Sequence, residues 1–394
     1  MTMTQVATAV CALAVVGGKG FAPNQEPSAA QAASQDGIRA AIDQLGNLDY
    51  DIRTSASRLV RRTAGSHAVP ALLRAVSGHG DGYVRYRALV LLTGFGDART
   101  KTVMQESLAS PNDRLRTVAY SYFEKNPEPA MTPILMEALE KEVAEFVRPS
   151  LIRALAALGS SERVRPILVR ESGRGEDFFR SAVIEALGDY RAAYAVDSLL
   201  AIAKLDGPLA DDAALALGKI GDRRAHDTLA RLRVEGPATV QPFVAAALCL
   251  LGTDCVANEQ FLVRTLTFSG SNAGYQELLR GAAAGLGALA VERRRTALDA
   301  LLRAGIPTRD PARARIALAV ATVALRNTSV LLSALEAHPS QAAAVELLAE
   351  GFDMLAEDLE KERFFVAVRR GYWEAPEPSR RRALMQTLIE KLDF

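Results

Sequence analysis

The chain has 394 residues, of which 49% are hydrophobic and only 6% aromatic, and its 47 basic and 46 acidic residues leave a net charge of +1. Nucleic-acid binders usually carry a strongly basic face, so this balance disfavours a dedicated nucleic-acid-binding protein. A chain of this length would divide into two or three globular domains unless it is built from repeats that contact only their neighbours.

The amino terminus carries an apolar segment at residues 6–16 (VATAVCALAVV), which is too short to span a bilayer and matches the hydrophobic region of a secretory signal. The stretch after it is rich in Gly, Pro, Ser and Ala and is typical of a cleavage region and a flexible linker. We therefore predict that residues 1–35 are a signal peptide with a linker, and that the protein is periplasmic or secreted, in the envelope of a bacterium. No Lys or Arg precedes the apolar segment, so a tail on a cytoplasmic protein is the alternative.

From residue 36 onwards, arginines recur at a nearly fixed spacing, within the frames DYDIR, DGYVR, NDRLR, AEFVR and EDFFR. These ladder arginines, separated by 32, 31, 32 and 32 residues, are Arg53, Arg85, Arg116, Arg148 and Arg180. A period of this length predicts stacked supersecondary units. Two further frames keep the spacing with Ala210 and Gln241 in place of arginine, and there we expect the ladder to end.

Each unit has the pattern of two antiparallel amphipathic helices. In the unit that begins at Glu176, apolar residues recur on one helical face around Arg180, and a second amphipathic stretch follows. Gly188 is expected to end the first helix, because a left-handed residue is commonly needed there. Neither helix can bury its apolar face alone, so neighbouring units must stack.

The first turns of the arginine-bearing helices also carry a signature. Asp49, Asp81 and Asn112 each precede a ladder arginine by four residues and are predicted N-caps. Pro149 and Pro242 each lie one residue after a ladder position, which a helix tolerates only in its first turn.

We predict an all-α superhelix of about eleven antiparallel helix pairs. Residues 36–256 would form the regular repeats, and residues 257–394 the divergent repeats and a C-terminal cap, because terminal repeats are usually atypical. Cys249 and Cys255 lie on either side of a short turn. We expect two unpaired, small apolar side chains there, with a disulfide in an oxidising compartment as the alternative.

The frame D-x-x-x-R-x-x-A-x-x-A-L-G, with a second helix of the type A-V-P-A-L-L, resembles HEAT repeats, especially the phycobilisome-lyase-like subgroup. The residues that carry the resemblance are Asp81, Arg85, Ala88, Glu176, Arg180, Ala186, Leu187, Gly188 and residues 68–73. It covers residues 36–255 well and the remainder loosely. The resemblance implies a HEAT-like solenoid in which the Asp and Arg of the frame tie successive repeats together, so that the ladder arginines are structural.

No catalytic, cofactor-binding or metal-binding constellation is recognisable, and we predict a protein that is not an enzyme and needs no cofactor. HEAT-like deoxyhypusine hydroxylases carry His-Glu pairs as iron ligands, but none of the four histidines here is followed by Glu. HEAT-like DNA glycosylases need a basic, aromatic cleft, and this chain has one tryptophan, Trp373, beside Arg369, Arg370 and Tyr372. Two alternatives stay open: a lyase-like accessory protein or enzyme acting on a bound small molecule, and a nucleic-acid-associated array that uses the seven arginines between Arg293 and Arg315.

The predicted function is that of a protein-binding scaffold. Positions one and five residues after each ladder arginine should face away from the buried stripe, on the helices that line the concave side of such arrays. The candidate partner-binding residues there are Arg58, Tyr86, Val90, Ser121, Arg153 and Glu185. Their mixed charge suits a protein or peptide better than a polyanion. Tyr86 is the preferred anchor, because Tyr and Arg are enriched at the energetic centres of interfaces.

Overall fold

The computed structural model describes residues 35–355 and 358–394, so the apolar segment 6–16, the linker after it and Cys11 lie outside the described residues. The described residues form 22 α-helices and no β-strand. The helices are α1 (Gln35–Gln44), α2 (Tyr50–Arg62), α3 (Gly65–Gly78), α4 (Gly82–Thr93), α5 (Arg99–Ser107), α6 (Asp113–Lys125), α7 (Thr132–Lys141), α8 (Arg148–Ala157), α9 (Arg165–Ser172), α10 (Asp177–Asp189), α11 (Val196–Ile202), α12 (Pro208–Ile220), α13 (His226–Glu235), α14 (Gln241–Leu250), α15 (Cys255–Gly270), α16 (Gln276–Val291), α17 (Arg295–Gly305), α18 (Ala312–Arg326), α19 (Thr328–Ala337), α20 (Gln341–Met354), α21 (Asp358–Glu374) and α22 (Arg380–Lys391).

The helices pack as a two-layered superhelix, which confirms the predicted fold class. Consecutive even-numbered helices from α4 to α20 stack on one another, and the odd-numbered helices up to α19 form the other layer. The even-numbered layer contains the arginine-bearing helices α2, α4, α6, α8 and α10. Each helix pair therefore buries its apolar faces against its neighbours, as a solenoid requires.

The predicted helix starts are confirmed by the capping contacts. The Asp49 carboxylate accepts a hydrogen bond from the amide of Asp51 at 2.9 Å, and Asp81 and Asn112 make equivalent bonds of 2.7 and 3.0 Å to the amides of Tyr83 and Arg114. Both predicted prolines, at residues 149 and 242, lie in the first turns of α8 and α14. These caps satisfy amides that would otherwise lack a partner within the helix.

Gly188 does not end its helix, contrary to the expectation from sequence. Helix α10 continues to Asp189, and Arg191 takes the left-handed conformation with φ 50°. A Cβ atom on Gly188 would lie 2.8 Å from the Cα of Ala216 in α12. Glycine is needed at this position because the backbones of α10 and α12 approach closely, not because a turn requires it.

Two hydrophobic cores meet at α14. Val244 and Ala247 belong to the core of the amino-terminal repeats, whereas Ala245 and Ala246 belong to that of the carboxy-terminal repeats. Leu359 of α21 is buried in the amino-terminal core although it lies far along the chain. The carboxy-terminal end therefore folds back onto the first repeats.

This return of the chain sets the shape of the concave face. Helix α21 packs against α4 and α6 as well as against α18 and α22. Farther along the superhelix, the Arg191 guanidinium pairs with the Glu292 carboxylate at 2.7 Å and so joins the ends of α10 and α16. The concave face is thus partly covered by the chain itself and partly open between opposing helices.

The structure joins Cys249 and Cys255 in a disulfide. The bridge closes the turn between α14 and α15. The alternative of a bridge is therefore found, and the expected pair of unpaired side chains is not.

Candidate interaction surface on the concave face

The six residues predicted to bind a partner fall into two parts of the concave face. Arg58, Tyr86 and Val90 lie beneath the carboxy-terminal helices, and both Tyr86 and Val90 are buried, unlike the exposed positions expected from the sequence. Arg153 and Glu185 line an open groove. Ser121 is half-buried on α6.

Asp358, at the start of α21, contacts α4 in the covered part of the concave face. Its carboxylate accepts hydrogen bonds from the hydroxyl of Tyr86 and from Nη1 of Arg87, the latter at 3.1 Å. Burial, followed by the negative charge of Asp358, raises the pKa of Tyr86. Tyr86 is therefore a neutral donor that is already engaged within the molecule.

One turn further along α21, a buried ion pair joins the two ends of the chain. The Glu362 carboxylate is fully buried and lies 2.8 Å from the Arg61 guanidinium, which is itself only 6% exposed. Arg369 contributes a longer contact of 3.4 Å to the same carboxylate, and the Arg61 guanidinium also lies over the ring of Phe365, 5.2 Å from its centroid. If one partner of such a pair is removed, the other is left as a buried charge without a counter-ion, which is strongly destabilising. These contacts must therefore form together.

The last residues of the chain add a more exposed contact. Arg58 pairs with Asp393 at 2.8 Å, and both side chains remain partly open to solvent. Phe394, which is buried, stacks on Phe365 with 4.0 Å between ring centroids. The covered part of the concave face is thus bound by α21 and by the chain terminus.

The open part is a groove of about 540 Å³ between α10 and α12 on one side and α16 and α18 on the other. One wall consists of small and aliphatic side chains from α16 and α18. Those wall residues are Ala283, Ala284, Gly287, Ala288, Val291, Leu318 and Ala319. Small side chains leave room for an inserted segment while still offering it an apolar surface.

Charged side chains that pair with one another form the opposite wall. Arg153 bonds to Glu124 at 2.9 Å and to Asp189 at 3.0 Å, while Lys219 pairs with Asp189 at 2.7 Å. The Tyr190 hydroxyl donates to Glu124 at 2.9 Å. Burial acts to raise the pKa of Asp189, but Lys219 and Arg153 outweigh it and lower that pKa to about 2. These groups satisfy one another and are not available to a ligand.

Two charged groups in the groove lack such partners. No hydrogen bond or ion pair is formed by the Glu185 carboxylate on α10 or by the Arg315 guanidinium on α18 within the described part of the chain, and both side chains are exposed. Desolvation by the groove walls raises the pKa of Glu185, and the positive charge of Lys219 offsets this effect only in part. The groove therefore presents one unpaired group of each sign, on opposite walls.

The acidic residues of α12 behind this groove are not among the six candidate residues, although Asp211 occupies the position one residue after Ala210 that Tyr86 occupies after Arg85. Asp211 is buried and pairs with Arg280 at 2.8 Å, yet burial still raises its pKa to about 6. Asp212 accepts a hydrogen bond of 2.6 Å from the Ser181 hydroxyl, and burial raises its pKa as well. This register and the run DDAALALG were visible in the sequence, but they did not show which helix would supply Arg280.

The ladder arginines bind the ends of preceding helices. The guanidinium groups of Arg53, Arg85, Arg116 and Arg180 donate to main-chain carbonyls at the ends of helices or in the turns that precede their own. Arg116 also makes a two-pronged pair with Glu142 at 2.7 and 2.8 Å. Arg148 pairs with Glu171 at 3.3 Å.

The ladder continues past the point where the sequence places its end. The Gln241 amide donates to the carbonyls of Leu232 and Gly236 at 2.8 and 2.9 Å, as an arginine would. In α18, Arg313 repeats the contacts of Arg116, with carbonyl bonds to the end of α17 and a two-pronged pair to Glu350 at 2.6 and 2.8 Å. The longer helices α15 and α16 shift the spacing, which hides Arg313 from a periodicity search.

Three of the seven arginines between residues 293 and 315 are paired with carboxylates. Arg294 pairs with Glu259 and Arg295 with Asp299, both at 2.7 Å, and Arg313 pairs with Glu350. At the end of α21, Trp373 is exposed and packs edge-on against Tyr372, while the Arg369 beside them turns towards Glu362.

The described residues contain no group of three or more His, Cys, Asp or Glu side chains that could hold a metal ion. No single described helix has the length and apolarity needed to cross a membrane, and only α18 with α19, a pair bent by 120°, meets those criteria jointly.

The family comparison agrees with this architecture. Residues 69–156 match the family model for HEAT repeats. The matched segment covers less than a quarter of the chain, so it shows a similarity to HEAT repeats in that segment. The finer assignment to the phycobilisome-lyase-like subgroup stays a prediction.

Comparisons with individual proteins give only distant similarities. A search of curated protein sequences gave no match. Similar solved structures include importin β, 13% identical with a TM-score of 0.41 over 91% of this chain and 65% of that chain. Human deoxyhypusine hydroxylase is 19% identical with a TM-score of 0.27, over 55% of this chain and 84% of that chain. The chain spans less than two thirds of the importin β chain.

Proposed function

We propose that this protein is a non-catalytic interaction scaffold that binds a segment of a partner protein in the open groove between α10–α12 and α16–α18. The observation that carries the proposal is the pair of unpaired charges, Glu185 on α10 and Arg315 on α18, which line the same groove as a set of small apolar side chains. A segment with a basic group for Glu185 and an acidic group for Arg315 would complete both walls.

A protein segment suits this groove better than a small molecule. The volume of about 540 Å³ lies within the range of small-molecule sites, so volume does not decide between them. The lining of the groove favours a protein segment. It runs across α8, α10, α12, α16 and α18, and Tyr190 is the only aromatic residue among the described residues that line it. Small-molecule sites are usually more enclosed and more aromatic, whereas a surface that spans successive repeats suits an extended chain.

Filling the groove tests this function. We expect Ala284→Trp, on the apolar wall, to abolish capture of partner proteins from the native compartment and to weaken binding of a purified partner at least about tenfold. Thr267→Trp, at an exposed position on α15, is the matched control and should leave capture unchanged. Equal capture by both variants, with unchanged circular dichroism, would remove the groove as the binding site.

We also propose that the protein is exported. The apolar segment 6–16 supports this, and so does the disulfide between Cys249 and Cys255, because disulfides persist mainly in oxidising compartments. Fusing residues 1–40 to a reporter that is active only outside the cytoplasm should give a signal. A silent reporter, expressed at the level of a positive control, would count against export.

A further inference from the structure

The covered part of the concave face shows which ligand chemistry it accepts, because a helix of the chain already lies on it. The face is formed by α2 and α4 and has Arg61, Tyr86 and Arg87 at its centre. The first turns of α21 meet these residues with two carboxylates, Asp358 and Glu362. This pattern is an acidic helix start lying on a basic, aromatic surface.

The two sides of α21 are held by different forces. Towards the carboxy-terminal repeats, its side chains Phe364 and Val368 are buried in the apolar core, and Gly371 lies against Met385. Towards α2 and α4, it offers mainly charged groups, with Leu359 as its buried apolar contact. If the superhelix opens, it should therefore open between α21 and α4, since small rotations spread over many repeats can separate the ends of a solenoid.

The charges of the covered face and of α21 match one for one. Arg61 pairs with Glu362 and Arg87 with Asp358, while Arg369 of α21 itself makes a longer contact to Glu362. On the face, Nε of Arg87 is buried without a hydrogen-bond partner. A buried donor without an acceptor is costly, so this group favours a ligand that brings a further acidic oxygen atom.

We propose that the concave face of α2 and α4 is a docking site for an acidic amphipathic helix of a partner protein, and that α21 occupies this site while the superhelix is closed. The partner helix would carry an acidic residue in its first turn, a leucine directly after it and a glutamate one turn on, as Asp358, Leu359 and Glu362 do. The idea rests on the proposed scaffold function but uses a different surface from the open groove.

A labelled peptide with the sequence of residues 358–374 tests the site on the full-length chain, with fluorescence anisotropy as the readout. Glu362→Gln in the chain removes the charge that holds Arg61, and we expect the peptide to bind this variant at least about tenfold more tightly than the wild type. Glu390→Gln, at an exposed position on α22, is the matched control and should bind no better than the wild type.

A charge swap makes the test specific. In a chain carrying Arg61→Glu, the introduced carboxylate repels Glu362, so this variant should reject the native peptide and bind a peptide that carries Glu362→Arg. If neither variant binds its matched peptide better than Glu390→Gln does, with helical content retained, the docking site is excluded. If both variants unfold, excess native peptide should expand the radius of gyration of the wild-type chain in solution scattering, and an unchanged radius overturns the proposal.

The outcomes separate this proposal from the scaffold function. The Ala284→Trp variant should bind the peptide as the wild type does, because its tryptophan fills the groove and not the face of α2 and α4. Failure of the peptide experiments with loss of partner capture in that variant would refute the docking site alone. If the peptide experiments succeed and the Ala284→Trp variant still captures its partner, the groove is refuted as the binding site and the docking site stands.

Discussion

The pH dependence of an Asp211→Asn variant tests the electrostatics of the groove. Burial in α12 raises the pKa of Asp211 from 3.8 to about 6 despite its pair with Arg280. A carboxyl group whose pKa is higher in the folded than in the unfolded protein favours folding while it is protonated. This contribution is complete below pH 3.8 and is lost as the pH rises through about 6. At about 1.4 kcal/mol per pKa unit, ionised Asp211 destabilises the fold by about 3 kcal/mol near neutral and higher pH.

Asparagine has nearly the same shape and carries no charge. We expect Asp211→Asn to raise the free energy of unfolding by about 3 kcal/mol at a pH of about 8, and by less than about 1 kcal/mol at a pH of about 4. Urea denaturation followed by far-UV circular dichroism measures both values. The difference arises because the wild-type side chain is largely protonated in the folded protein at the lower pH.

Asp189→Asn is the matched control on the neighbouring helix. Its pKa is lowered to about 2, so its carboxylate stabilises the fold above pH 3.8, and this contribution is lost only as the pH falls through about 2. The control variant should lose about 2 kcal/mol at both assay pH values. If Asp211→Asn destabilises the protein at the higher pH, or if both variants show the same pH profile, the assigned electrostatics are wrong.

Three further predictions concern the repeats. Arg116→Ala should lower the free energy of unfolding by about 2–4 kcal/mol in urea denaturation, because it leaves the Glu142 carboxylate, which is only 4% exposed, without its ion-pair partner. Arg180 pairs with Asp177, whose side chain is 73% exposed, so Arg180→Ala should lower the free energy of unfolding by less than about 1 kcal/mol. Equal losses in the two variants would contradict this ranking. Gly188→Ala should cost about 1–3 kcal/mol through overlap with the neighbouring helix, and a stabilised variant would show that the backbones do not touch. Alkylation of the denatured protein followed by mass spectrometry should label Cys249 and Cys255 only after reduction, whereas labelling beforehand would disprove the disulfide.

The fold could be predicted from the sequence because the information it needs is local. An N-cap such as Asp49, a first-turn proline such as Pro149 and an apolar helical stripe each act within one or two turns, and the period repeats them often enough to be recognised. The ladder contacts of Arg85 are also short-range, since the carbonyl it binds lies nine residues earlier. Eleven helix pairs follow from these local signals alone.

The division of the concave face into a covered part and an open groove could not be predicted from the sequence. It depends on the curvature of the superhelix, which is the sum of small rotations between many repeats. The period identifies Tyr86 as an inward position, but it does not show that α21 arrives there from the other end of the chain. Asp358 and Glu362 lie more than 270 residues from their partners in the first repeats. A small change in rotation between each pair of repeats would separate these groups, and no local pattern records that rotation.

The close contacts within the even-numbered layer give a physical origin for this curvature. A Cβ on Gly188 would meet the Cα of Ala216 at 2.8 Å, and a Cβ on Gly218 would meet the Cα of Ala247 at 2.4 Å. Successive backbones from α10 to α14 therefore lie closer together than larger side chains would permit, and a layer that is compressed on one side bends towards that side. These contacts fall where arginine leaves the repeat frame, at Ala210 and Gln241. A bend in this direction would bring α16 and α18 towards α10 and α12, the two pairs of helices between which the open groove lies.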